Sequence, residues 1–281
     1  MGYRLKAIAQ YQLQALNRNT AHYYEFLEVS EYLGEWMLWG LEHLPTRASG
    51  DDEGDWLSTT KTLLARLFND FEVVKICALR GFPDQAYAPL RDTIECTMLI
   101  RLFMADPKLA RRWLTEANEY TPGTVYARLS ELKIPAPEYA FYGLLSDRSH
   151  ANVIGSIANV NETEIDRGVI NVTWGVGGSD NPTFTRLVLL QTCSFQLFAL
   201  MDPLTVLFKP HLGADWGEWR RALNEGVRRL APLVPDASHK EPASTEVVKV
   251  AVGKIDKKFE RTTQKLLAEM QKLLGDDFHF Q

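Results

Sequence analysis

Cysteine is scarce in this chain: Cys77, Cys96 and Cys193 are the only three, far apart and each in an apolar helical context. That excludes a disulfide framework and a cysteine-based zinc site, and it suits a reducing compartment. Long apolar runs are also lacking. The strongest candidate, residues 187–201 (LVLLQTCSFQLFALM), contains Gln191 and Gln196 and stops at Asp202-Pro203. A membrane span needs roughly 20 residues, so this stretch is read as a buried core helix. The first sixteen residues hold no apolar signal-peptide core, and Lys6 stands where myristoylation wants Ser or Thr. The expectation is a cytoplasmic protein without a membrane partner. On that reading the sequons Asn161-Glu162-Thr163 and Asn171-Val172-Thr173 carry no glycan.

Positive charge is not in excess either. Lys and Arg total 31 against 36 Asp and Glu, a net charge of −5, which excludes coating nucleic acid by bulk electrostatics. The pairs Arg111-Arg112, Arg220-Arg221 and Arg228-Arg229 are read as solvated helix faces. The segment Trp174-Gly175-Val176-Gly177-Gly178-Ser179 lacks both GxGxxG and the P-loop lysine, and reads as a turn. Glu-x-x-His repeats on facing helices, the mark of a di-iron bundle, are missing. No metal and no cofactor are expected.

What the chain does have is helical patterning over 281 residues with 46% hydrophobic content, enough for a substantial core. Residues 3–44 read as one helix, stopped by Pro45 and the acidic loop 47–55 (RASGDDEGD). A helix over 56–80 turns at Gly81-Phe82-Pro83-Asp84 into the next one, so the two should be antiparallel neighbours. Asp106-Pro107 and Thr121-Pro122 are helix starts, and another helix covers 138–146. Residues 153–174 hold two β-compatible runs and predict a small hairpin. The apolar helix from Thr183 and an amphipathic one over 215–230 follow. The reading is an all-α, multi-helix bundle domain over 1–231, a linker over 232–244, and a long C-terminal helix over 245–281. That last helix carries Val252, Phe259, Leu266 and Leu273 at heptad spacing, so it should dock on the body or on a second subunit, and a homo-oligomer is expected.

Arg91 and Glu95 lie four residues apart within residues 88–104 (APLRDTIECTMLIRLFM), one of the most apolar stretches of the chain. On a helix they share a face flanked by Leu90, Ile94, Met98 and Leu102. Charges there need partners, so the pair is either a buried ion pair fixing helix register or a site in which Arg91 grips a phosphate or carboxylate. A second cluster ends the helix over 138–146. Tyr142, Ser146 and His150 follow at i, i+4 spacing, with Arg148 beside them. Histidine exchanges protons near neutral pH and Arg148 can stabilise developing negative charge, although His and Arg are also ordinary residues at a helix C-terminus.

The pieces Ala86-Tyr87-Ala88-Pro89-Leu90-Arg91-Asp92-Thr93-Ile94-Glu95 and Leu145-Ser146-Asp147-Arg148-Ser149-His150 resemble an LRxxxE…LSxxxH pattern in a bacterial family of helical proteins of unknown function. That family is similar in helical pattern to the HEPN superfamily, α-bundles that include metal-independent RNases of toxin and defence systems. The resemblance implies a HEPN-like bundle. The RNase members use an Arg followed by a polar residue, with four to six residues between the Arg and a His, often across a dimer interface. Here one residue separates Arg148 from His150, and three separate Arg18 from His22, so neither pair has that spacing.

Two functions are carried forward. In the first, a polar pocket formed by Arg91, Glu95, Tyr142, Ser146, Arg148 and His150 binds an anionic ligand, nucleotide or RNA. His150, Arg91 and Glu95 are then its candidate catalytic residues. In the second, the chain is a non-catalytic scaffold or interaction module and the Arg/Glu/His network is structural.

Overall fold

The computed structural model describes residues 2–45, 52–116, 119–149, 160–166, 169–174 and 182–234. Nearly all of them are helical. The body is built from α1 (Gly2–His22), α2 (Tyr24–His43), α3 (Asp52–Leu79), α4 (Pro83–Ala105), α5 (Lys108–Thr115), α6 (Pro122–Glu131) and α7 (Tyr139–Ser149), then α8 (Pro182–Ala199), α9 (Thr205–Leu212) and α10 (Trp216–Leu230). Strands β1 (Val160–Asp166) and β2 (Val169–Trp174) pair antiparallel between α7 and α8, with Thr163 opposite Asn171. Residues 153–159 of the expected hairpin, the C-terminal helix 245–281 and all but the first three residues of the linker 232–244 lie outside the described residues.

The expected single helix over 3–44 is two helices. The chain breaks step at Tyr23, whose φ of −108° and ψ of 25° leave the helical well. No Gly or Pro causes this, and tertiary contacts account for it. The Asn19 side-chain amide donates to the Leu79 carbonyl, satisfying an orphan acceptor at the end of α3. The Tyr23 hydroxyl donates to the Pro182 carbonyl at the start of α8. Both residues are buried, and each serves the end of another helix.

The core lies where α2, α3, α4 and α8 meet, with Leu67, Phe71, Val74, Leu90, Ile94, Phe103, Val188 and Phe198 almost wholly buried. The short turn at Gly81, which adopts a positive φ of 84°, makes α3 and α4 antiparallel neighbours. Thr121 caps α6 through its hydroxyl, which accepts from the Thr124 amide at 3.3 Å. One stretch, Phe184–Leu233, contains a window long and apolar enough to cross a membrane, but 83% of that window is buried inside the protein. Most of its apolar residues are buried in the core here.

That stretch does not end at Asp202-Pro203 as expected. Pro203 has no N–H for a helical hydrogen bond, and the chain absorbs it in one wide π turn, Leu200–Leu204. The Thr205 hydroxyl donates to the Leu200 carbonyl at 2.6 Å, and α9 continues from there. On the far side of α2, Trp219 of α10 is fully buried against Trp39 and Phe208. Gly40 permits this contact, because a Cβ there would collide with the Phe208 ring.

Candidate functional site

The four apolar neighbours of Arg91 and Glu95 are buried as expected: Leu90, Ile94, Met98 and Leu102 are at most 1% exposed. The charged pair itself sits at the rim. The Arg91 and Glu95 side chains are 24% and 27% exposed, with Nε to Oε1 at 3.6 Å. Arg91 also lies 3.6 Å from Asp92. This is loose, half-solvated pairing, worth at most about 1 kcal/mol. The pair is therefore only partly buried on helix α4.

The buried ion pair on α4 belongs to Arg101, ten residues on. Its side chain is 6% exposed; Nε donates to Glu138 at 3.0 Å and Nη1 pairs with Asp202 of the π turn. Its guanidinium also lies 5.4 Å from the Phe198 ring centroid. Burial pushes the Glu138 carboxyl up, while Arg101 opposes it. Burial alone would lower the Arg101 pKa, but Glu138 and Asp202 outweigh it and hold the guanidinium above its ordinary value. The sequence signal was present: Arg101 is the sole charge in Thr97–Met104 (TMLIRLFM).

Around Arg91 the structure assembles a continuous polar strip across α3, α4 and α7. Arg66 of α3 donates to Asp92 at 2.9 Å and lies 3.7 Å from Asp70. Tyr142 of α7 comes under the Arg91 guanidinium, 5.9 Å from its ring centroid. Burial raises the Glu95 carboxyl pKa and Asp92 raises it further, whereas Arg91 and a hydrogen bond from Tyr142 pull it down. Burial and then the Glu95 charge raise the Tyr142 phenol in turn. Three carboxylates thus share two guanidinium groups along the strip.

From Tyr142 the strip continues as stacked aromatic rings. Tyr142 and Tyr139 are 5.7 Å apart with planes 10° from parallel, and Tyr139 and Tyr126 of α6 are 4.0 Å apart at 13°. Tyr126, at the outer end, is exposed. Nothing in sequence spacing joins Tyr126 to Tyr139, because the stack forms only when α6 folds back beside α7 across Ile134-Pro135-Ala136-Pro137.

Of the six expected site residues, the structure brings Arg91, Glu95 and Tyr142 together. Ser146, one turn beyond Tyr142 on α7, is half-buried. The Arg148 side chain and His150 lie outside the described residues. Cys96, next to Glu95, is buried and its thiol is pushed up to about 12 by burial, which makes it inert packing and not a nucleophile. Among the described residues no group of three His, Cys, Asp or Glu is placed to hold a metal ion.

Asp70 gives this face a pH signature. Burial raises its pKa from 3.8 to about 6, partly offset by Arg66 and reinforced by Asp92 and Glu95. The folded protein holds that proton more tightly than the unfolded chain does. The contribution to stability is therefore full below about pH 4 and is lost as pH rises through about 6. Asp70→Asn is expected to raise the melting temperature at pH 7 and leave it nearly unchanged at pH 4, as read by calorimetry across that range.

No family model, curated protein or solved structure matches this chain. Function is accordingly read from the side chains of this face.

Proposed function

We propose that the edge formed by α4, α6 and α7 binds a nucleotide or a short stretch of RNA. The observation that carries this reading is the line of three parallel tyrosine rings leading to the Arg91 guanidinium. An exposed aromatic face accepts a base by stacking, worth about 1–3 kcal/mol per base, and a guanidinium grips phosphate in a bidentate manner. The carboxylates fit the same ligand, since ribose hydroxyls and base N–H groups donate to Asp92 and Glu95. A bare anion would meet repulsion from three carboxylates, so a ligand carrying both donors and a phosphate suits the strip better.

In this proposal the body is a HEPN-like bundle in a cytoplasmic homo-oligomer, with the two-stranded ribbon inserted between α7 and α8. Arg148 and Ser146 extend the phosphate contacts, and His150 is the acid/base for RNA cleavage. The last assignment rests on the sequence, which puts His150 one turn past Ser146.

The carboxylate surplus also favours a second reading, a protein-interaction face, because tyrosine and arginine dominate interface hot spots and acidic rims suit basic partners. Calorimetric titration of ribonucleoside monophosphates and a short single-stranded RNA separates the two. The nucleotide reading expects saturable binding that weakens about tenfold or more in both Arg91→Ala and Tyr126→Ala. His150→Ala should keep binding and lose cleavage. A wild-type protein that binds none of these ligands leaves the interaction face as the function.

A further inference from the structure

Helices α2 and α3 leave an apolar groove between them, lined by Met37, Leu38 and Leu41 on one side and by Leu64, Ala65 and Phe68 on the other. Leu38 is 41% exposed. The α2 rim is acidic. Glu31, Glu35 and Glu42 are exposed and share the face of Leu38 at positions i, i+4, i+7 and i+11.

We infer that this groove is the docking site of the chain's own C-terminal segment, residues 245–274. Three observations select that occupant. Its apolar line, Val252, Phe259, Leu266 and Leu273, is a single stripe of the kind a helix lays into an apolar groove. Its charge is complementary: seven Lys and Arg against four Asp and Glu, set opposite an acidic rim. The chain is also delivered within reach. Helix α10 crosses α2, with Trp219 at Trp39, Gly226 at Leu33 and Arg229 over the Tyr32 ring, so the described chain leaves beside Tyr32 and Leu33 in the N-terminal half of α2. Residues 235–244 can extend about 33 Å, which matches the roughly 30 Å length of a helix the size of α2.

Hydrogen exchange followed by mass spectrometry on the full chain tests this. The wild type is expected to protect residues 252–273 to a degree that does not change with protein concentration. Leu38→Arg, at an exposed position, is expected to accelerate exchange there by about tenfold or more while helix content is kept. Leu266→Arg is expected to do the same and to raise hydroxyl-radical labelling of Leu38 and Phe68. The double reversal Glu35→Lys/Glu42→Lys, which leaves the apolar contacts in place, should reduce protection at low salt. An unprotected C-terminal segment in the wild type overturns the assignment, as does protection indifferent to Leu38→Arg. Protection that falls on dilution together with a dimeric mass also overturns it, because a second copy's segment then fills the groove.

Discussion

Arg101→Ala is expected to destabilise the protein by about 3–5 kcal/mol, read as a lowered urea midpoint. The substitution removes the guanidinium shared by Glu138 and Asp202 and strands their carboxylates beside Phe198. The cost is that of uncompensated buried charge, which predicts partial rescue when the charge is removed from the other side. Adding Glu138→Gln to Arg101→Ala should recover part of the loss, because one stranded carboxylate disappears. Arg91→Ala should cost no more than about 1 kcal/mol, since its partners remain in contact with water. Two arginines ten residues apart on one helix thus have opposite characters: one holds α4 to α7 and the π turn, and the other belongs to the surface.

Trp219→Ala is expected to cost a similar amount, about 3–5 kcal/mol. The indole is fully buried, stacks on Trp39, meets Trp36 and Phe208 edge-on and donates to the Thr205 hydroxyl at 2.8 Å. Truncation opens a cavity and leaves that hydroxyl without its donor. Trp219→Phe keeps most of the volume and should cost clearly less, so the difference between the two variants measures the cavity. Thermal unfolding followed by circular dichroism reads both.

The helices were legible because each carries its own punctuation. Gly81-Phe82-Pro83 turns α3 into α4, and Thr121-Pro122 starts α6. The breaks at Tyr23 and Leu200–Leu204 were not legible. The first is imposed by hydrogen bonds to residues far along the chain, and the second is a local answer to Pro203 that continues the helix where proline usually ends it. The site shows the same division. Arg91 with Glu95 is an i, i+4 pattern visible in one helix, and Tyr142 lies on the segment read beside it. Arg66 with Asp92, Tyr126 with Tyr139, and Arg101 with Glu138 and Asp202 join separate helices. Periodicity within a helix carries no information about such pairs. Hydrophobic surroundings misdirected the reading of the charges: an apolar stretch flags that a charge is constrained, but which charge is buried depends on what packs over it.

The proposed function makes Arg91 part of a binding face rather than a structural lock. The most direct measurement is calorimetric titration of a ribonucleotide into wild type and Arg91→Ala, with the denaturation midpoint taken on the same samples. Saturable binding by the wild type is expected, with a loss of about tenfold or more in affinity in the variant and a midpoint close to wild type. A variant that binds as the wild type does, or one that loses several kcal/mol of stability, contradicts it.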